Sequence, residues 1–347
     1  MKGIVFPGNR ELELMEFPDP APGSGEVLLE IKASGMCGSD LHFYRAAEGG
    51  KSLGIMTDGN PIIAGHEPCG VVVARDPGLP DRIAPEGARV MVHHYSGCGF
   101  CSDCRSGWQQ LCSTGMVVYG ATAHGAHAPY MAAAADTLVR LPESLSYSEG
   151  AAISCGTATA YSALKRMNLT GRETLSVFGQ GPVGLSAVMF ARELGARVVA
   201  IDISHERLAL AKEFGAYEMI DASQSDPIES IKELTNGRGA DMSIECSGVP
   251  EVRAQSVRST GTWGTVCFVG EGGPVTLDVS KDILRKQLTI MGSWTFSSFG
   301  QAECAQYVAD RGIDLDRIFT HRFALSEAQE AYALFDQQTT GKGVFEF

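Results

Sequence analysis

Residues 174–184, Thr-Leu-Ser-Val-Phe-Gly-Gln-Gly-Pro-Val-Gly, constrain the fold of this chain more than any other stretch. An apolar run over 174–178 ends directly in Gly179-x-Gly181-x-x-Gly184, and a helical pattern over 183–195 follows. Strand, glycine turn and helix in that order open a βαβ unit, whose crossover makes the next strand run parallel. Residues 197–201 and 241–245 read as further buried strands, and 205–214 as a helix between them. The fold class predicted is α/β, with a doubly wound parallel sheet.

Each glycine has its own reason. Gly179 allows the tight turn, Gly181 lets the backbone approach a pyrophosphate, and Gly184 lets the helix opened by Pro182 and Val183 pack close to the strand. The helix N-terminus adds partial positive charge, so the loop predicts a bound dinucleotide. Asp202 closes the next strand, where a carboxylate accepts hydrogen bonds from the adenosine ribose and repels a 2′-phosphate, so NAD is expected rather than NADP. A solvated strand-end carboxylate is the plainer alternative, and the place of Asp202 after the glycine loop argues against it. Arg207, in the following helix, either tempers the preference or faces solvent.

The first 150 residues have another texture. Short β-patterned runs such as Gly3-Ile4-Val5-Phe6, residues 26–32 and residues 70–74 are divided by Pro and Gly clusters, which reads as a β-barrel-like domain. Within it Cys98, Cys101, Cys104 and Cys112 are spaced C-x2-C-x2-C-x7-C. That is the pattern of a closed tetrahedral zinc, with no coordination position left for substrate. Disulfides are disfavoured, because the chain opens Met-Lys-Gly-Ile-Val-Phe without the apolar run of a secretory signal. No apolar run reaches transmembrane length, so a soluble cytoplasmic protein without a membrane partner is expected. A formal net charge of −13 argues against a nucleic-acid partner, since phosphate contacts need concentrated Lys and Arg.

Three further residues suit a second zinc. Cys37 in Ser34-Gly35-Met36-Cys37, His66 in Gly65-His66-Glu67 and Cys155 in Ser154-Cys155-Gly156 offer two thiolates and an imidazole. Three protein ligands of these types leave the fourth position of a catalytic zinc open. Cys155 stands where the barrel-like texture gives way to alternating strands and helices, so the metal is expected at that divide.

Cys37-Gly38-Ser39-Asp40-Leu41-His42, Gly65-His66-Glu67, the four-cysteine segment, Cys155 and the Gly179 to Gly184 loop occur in one order over essentially the whole chain. With them the chain resembles the zinc-dependent medium-chain alcohol dehydrogenases. The resemblance implies a Rossmann domain inserted in a GroES-like β-barrel catalytic domain. Residues 1–150 would be catalytic and carry a structural zinc lobe, 151–290 would bind NAD, and 291–347 would complete the catalytic domain. Two zinc ions per chain are implied, one catalytic and one structural, with a small-molecule alcohol or carbonyl substrate and a homo-oligomer, a tetramer ahead of a dimer. The substrate expected is small, secondary or polar.

Hydride would pass from the alcohol carbon to the nicotinamide. The resemblance implies that Ser39 takes the alcohol's proton, a nicotinamide ribose hydroxyl passes it on, and His42 releases it to solvent. An ordinary surface histidine is the alternative for His42. Asp40 orients His66, caps the helix after Cys37, or does both. Glu67 is a supporting group beside His66 or a transient ligand. Cys246 and Val269 end later Rossmann strands, and their backbones are expected along the nicotinamide. His93 and His94 either lie on a solvated loop or, through His94 or Tyr95, give the substrate pocket a polar wall. The segment around Cys37 is similar to sorbitol, threonine and butanediol dehydrogenases, but Ser154-Cys155 stands where many polyol-type members carry a glutamate, which argues against a polyol substrate.

Two other readings make different demands on the sequence. A zinc-free quinone or enone reductase on the same fold would lack Cys37, His66 and Cys155. A non-enzymatic dinucleotide-binding protein would have no use for Ser39 and His42.

Overall fold

The computed structural model describes residues 1–47 and 61–347. They form two units: residues 1–158, 296–337 and 342–347 in one, and residues 159–295 with 338–341 in the other. The divides fall a few residues beyond 150 and 290, because the helix Tyr147–Ile153 packs on the strands of the first unit and carries Cys155 with it.

Among the described residues, the second unit holds a six-stranded sheet in the order Glu218–Asp221, Arg197–Asp202, Thr174–Phe178, Ala240–Glu245, Thr260–Phe268, Thr289–Gly292. Every pairing in it is parallel. Leu175, Val177, Phe178, Val198, Val199, Ala200 and Ile244 are buried. With both faces covered, the strands read as continuous apolar runs rather than as alternation. The winding reverses at Thr174–Phe178, and in such sheets ligands bind beyond the carboxyl ends of the strands at the reversal. The helix Pro182–Leu194 begins with proline at its first position, where a missing N–H costs nothing, and ends at Gly195 with φ 97°.

The strand Glu26–Gly35 is the spine of the first unit. It alternates inward Val27, Leu29, Ile31 and Ala33 with less buried residues, as period-2 packing requires. It pairs antiparallel with Pro68–Arg75, Tyr130–Ala134 and the C-terminal strand Lys342–Glu346, inside a seven-stranded sheet. The register sets Ser34 opposite Pro68, so the residues after one strand and before the other, Cys37 and His66, emerge side by side. The four-cysteine segment holds a short helix, Ser102–Arg105, and a 3-10 turn of helix, Gln109–Leu111, joined by turns. Among the described residues no helix is long and apolar enough to cross a membrane.

Gly184 tests the packing logic of the glycine loop. A Cβ there would lie 1.8 Å from the Gly179 carbonyl oxygen, which is backbone and has nowhere to go. Gly184→Ala is expected to cost about 1–3 kcal/mol in urea unfolding, as overpacking does, and to weaken dinucleotide binding measured by fluorescence titration.

Candidate functional site

Cys37 stands at the N-cap of the helix Gly38–Arg45. Its backbone N–H donates to Asp40 Oδ2 at 2.8 Å, while the other oxygen of that carboxylate lies 2.9 Å from His66 Nδ1. Asp40 therefore both caps the helix and fixes the imidazole, leaving His66 Nε2 facing Ser39 Oγ at 3.2 Å. Ser39 Oγ also donates to Cys37 Sγ at 3.2 Å. Cys155 follows Ser154, whose hydroxyl donates to the Pro68 carbonyl at 2.9 Å, tying that turn to the strand that leaves His66.

The ligand atoms of Cys37, His66, Glu67 and Cys155 all lie within 4.8 Å of one another, and all four residues are buried. Cys37 Sγ and Cys155 Sγ are 3.8 Å apart. Two thiolates across a tetrahedral zinc, at about 2.3 Å each, stand about 3.8 Å apart, so the pair fits the ion. The Cys155 thiol, hydrogen-bonded to Cys37, holds the Cys37 thiol well below its usual range against the opposing effect of burial. The same hydrogen bond, and then burial, raise Cys155. Burial opposes a charge on His66, but Asp40 and then Cys37 hold its pKa well above the ordinary value.

Glu67 is fully buried, and burial pushes its pKa up to about 8 against the pull of Lys342. Lys342 ion-pairs with Glu67 Oε2 and donates to the Met36 carbonyl at 3.0 Å. A Cβ at Gly35 would fall 1.9 Å from Glu67 Oε2, so the glycine makes room for the carboxylate.

The second cluster, Cys98, Cys101, Cys104 and Cys112, also brings its sulfur atoms within 4.8 Å of one another. Cys98 Sγ and Cys104 Sγ are 4.0 Å apart, again close to the tetrahedral value. Backbone N–H groups of Phe100 and Cys101 donate to Cys98 Sγ, both at 3.4 Å, and that of Cys98 donates to Cys112 Sγ at 3.3 Å. Four cysteine sulfurs, those of Cys98 and Cys112 supported by these backbone donors, form a compact cluster that could hold a metal ion.

In the second unit Gly179 has φ 86°, and nothing lies within 4 Å of a Cβ built on Gly181, which leaves a phosphate room to approach. Asp202 accepts from the N–H groups of Gln180 at 2.6 Å, Ile203 at 2.7 Å and Ser204 at 2.9 Å. Arg207 does not simply face solvent: its Nε donates to the Thr340 carbonyl at 3.0 Å. The Cys246 N–H donates to the Phe178 carbonyl at 2.8 Å, and the Val269 N–H to the Glu245 carbonyl at 2.9 Å, which places both beyond the strand ends beside the glycine loop. Cys246 lies just past its strand and is half-buried.

Known proteins are similar to this chain over most of its length. Residues 23–143 match the alcohol dehydrogenase GroES-like domain and residues 182–311 the zinc-binding dehydrogenase domain. The zinc-type alcohol dehydrogenase-like protein YphC of Escherichia coli (strain K12) is 40% identical, with 100% of this chain and 99% of that protein aligned. The chain belongs to the zinc-dependent medium-chain alcohol dehydrogenase family. Sorbitol dehydrogenase of Bacillus subtilis (strain 168) is 30% identical over 95% of this chain and 92% of its own length. Among solved structures, alcohol dehydrogenase TADH from Thermus sp. ATN1 superposes with a TM-score of 0.86 at 29% identity, covering 100% of this chain and 99% of that one.

The structure brings together Cys37, Ser39, Asp40, His66, Glu67 and Cys155. His42 lies exposed on the same helix. His93 and His94 are buried, not on a solvated loop. His94 Nδ1 donates to the Ser154 carbonyl at 3.0 Å, its ring centroid is 5.1 Å from that of His66, and burial drops its pKa well below the ordinary value. Sequence reasoning missed Lys342; its one signal was a lone lysine between glycines in an otherwise apolar terminal run.

Elemental analysis of the purified chain is expected to give two zinc ions. Cys155→Ser and Cys101→Ser should each leave one, with Cys101→Ser lowering the melting temperature more, because a closed site contributes to folding outright.

Proposed function

We propose that the chain is an NAD-dependent zinc alcohol dehydrogenase that interconverts a small secondary or polar alcohol with its ketone or aldehyde. The observation that carries this is the Ser39 hydroxyl, 3.2 Å from both Cys37 Sγ and His66 Nε2, which sets a proton-accepting group against the metal cluster itself. Zinc held by Cys37, His66 and Cys155 supplies the Lewis acidity that lowers the pKa of an alcohol oxygen. NAD held at Gly179, Gly181 and Gly184, with Cys246 and Val269 toward its nicotinamide, supplies the hydride acceptor.

The chain's own residues orient the oxygen and remove its proton. Ser39 is placed to take that proton as it gives up its own, and His42, three residues on and therefore on the same helix face, is placed to release a proton to water. Asp40 keeps the proton of His66 on Nδ1 and so keeps Nε2 available. Glu67 acts as a supporting group rather than a ligand, because Lys342 already pairs with it.

Asp202 supports NAD over NADP. Three backbone N–H groups fix its carboxylate where a 2′-phosphate would meet negative charge, and the Arg207 guanidinium is engaged by Thr340. His94 supports a polar substrate: with Nδ1 committed to Ser154, its Nε2 is a hydrogen-bond acceptor beside His66. We take the active form to be a cytoplasmic homo-oligomer, a tetramer ahead of a dimer.

A spectrophotometric screen of aliphatic, aromatic, diol, polyol and amino alcohols with NAD and NADP in parallel tests the reading. NADH formation with small polar alcohols is expected; faster turnover with NADP throughout would overturn the role of Asp202, and no turnover would overturn the enzyme. His94→Phe is expected to lower the kcat/KM ratio of polar to apolar alcohols about fivefold, the worth of one hydrogen bond of about 1 kcal/mol. An unchanged ratio would remove His94 from substrate selection.

A further inference from the structure

We infer that Glu245 and Arg253 are positioning residues for the cofactor, a buried pair that holds the loops after two neighbouring strands as one wall beside the glycine loop. The inference rests on the reading that NAD is held at Gly179, Gly181 and Gly184 with Cys246 and Val269 toward its nicotinamide. Glu245 closes the strand Ala240–Glu245 and is fully buried. Its Oε1 accepts from the Ser247 N–H at 2.6 Å, the Ser247 hydroxyl at 2.5 Å and the Gly248 N–H at 2.9 Å. Its backbone carbonyl accepts from the N–H groups of Val269 and Gly270, both at 2.9 Å. One residue thus grips the loop that follows its own strand and the loop that follows Thr260–Phe268.

Arg253, in the helix Pro250–Ser259, completes the hold from the other side. Its Nε lies 3.5 Å from Glu245 Oε2, its Nη2 donates to the Gly270 carbonyl at 2.5 Å, and its Nη1 donates to the Gly273 carbonyl. The Arg253 side chain is 13% exposed and that of Glu245 0%, so the pair is shielded from water. A planar guanidinium reaches a carboxylate and two carbonyls at once, which the single amine of a lysine does not reproduce.

The loops have little else to order them. Gly248, Gly270, Gly272 and Gly273 carry no side chains, and glycine loses more conformational freedom on ordering than any other residue. Side chains are missing because main chain packs on main chain. A Cβ on Gly270 would fall 2.2 Å from the Gly248 nitrogen, and one on Gly272 would fall 2.3 Å from the Gly248 oxygen. The stack continues to the glycine loop, since a Cβ on Gly179 would lie 3.1 Å from the Ser247 nitrogen. The Cys246 N–H, donated to the Phe178 carbonyl at 2.8 Å, ties the same two segments together. A wall of bare backbone binds a flat cofactor well only if it is ordered beforehand, because ordering it on binding subtracts from affinity. A buried ion pair is a weak source of stability, since desolvation offsets its attraction. What this pair supplies is fixed loop geometry.

Arg253→Lys tests this, since it keeps the charge facing Glu245 and loses the fork. Ser247→Ala removes one of the donors to Glu245 at an exposed position. Dissociation constants for NADH and for AMP, which carries the adenosine half alone, are measured calorimetrically on the zinc-loaded protein, together with kcat and the KM values for NAD and for the alcohol. Arg253→Lys is expected to weaken NADH about tenfold, the worth of one hydrogen bond to a charged group, and to raise the KM for NAD while AMP affinity and the KM for the alcohol hold. Ser247→Ala is expected to weaken NADH about threefold with AMP unchanged, and it carries the test if Arg253→Lys does not fold. Unchanged NADH affinity in the folded variants overturns the proposal. An equal loss of NADH and AMP affinity overturns it too, because a merely structural role loosens the whole unit. If the parent itself binds no NADH, the dinucleotide reading falls, whereas NADH binding by the parent with no change in either variant overturns this inference alone.

Discussion

The Asp40 carboxylate is the interaction on which the candidate active site depends. One oxygen accepts the Cys37 N–H and so starts the helix Gly38–Arg45; the other holds His66 Nδ1. Helix initiation and imidazole orientation are thereby a single event. The helix N-terminus also places partial positive charge next to the Cys37 sulfur, where a thiolate is wanted. Losing the carboxylate would leave two buried donors without a partner, and such groups cost their full desolvation.

Around that carboxylate the first unit reads as layers of support. Strand register delivers Cys37 and His66 together, Ser154 ties the turn bearing Cys155 to Pro68, and Gly35 leaves space for Glu67 and Lys342. The second unit relies on backbone instead. Gly179, Gly181 and Gly184 carry no side chain because a turn, an approach and a packed helix each need the space, and Asp202 is held by three N–H groups. Fixed dipoles of this kind bind a charged cofactor without reorganising when it arrives.

Much of this is legible in the sequence. The runs 174–178 and 197–201 became strands, and the helix after Gly181 began at Pro182, one residue earlier than the pattern suggested, because proline suits that position. Cysteine spacing located the four-cysteine cluster, while residue type and the place of Cys155 pointed to Cys37, His66 and Cys155. What remained hidden depends on contacts distant in sequence. Lys342 reads as a surface residue until the last strand is seen to pair with Glu26–Gly35 and deliver its amine to Glu67. His93 and His94 were equally compatible with a solvated loop, and only the packing against Phe296 and Ser154 decides for burial.

The sequence by itself determined the strand and helix periodicity, the glycine turn, the two sets of metal-ligand residue types and the order in which they occur. These are short-range properties, set by backbone sterics and by the chemistry of each side chain. Tertiary structure alone decided that Asp40 serves Cys37 and His66 at once, that Arg207 is engaged by Thr340, that Glu67 is matched by a buried lysine, and that Glu245 grips the loops after two strands. Hydrogen bonds act over about 3 Å, and which groups come that close is a property of the packed chain, not of any segment of it.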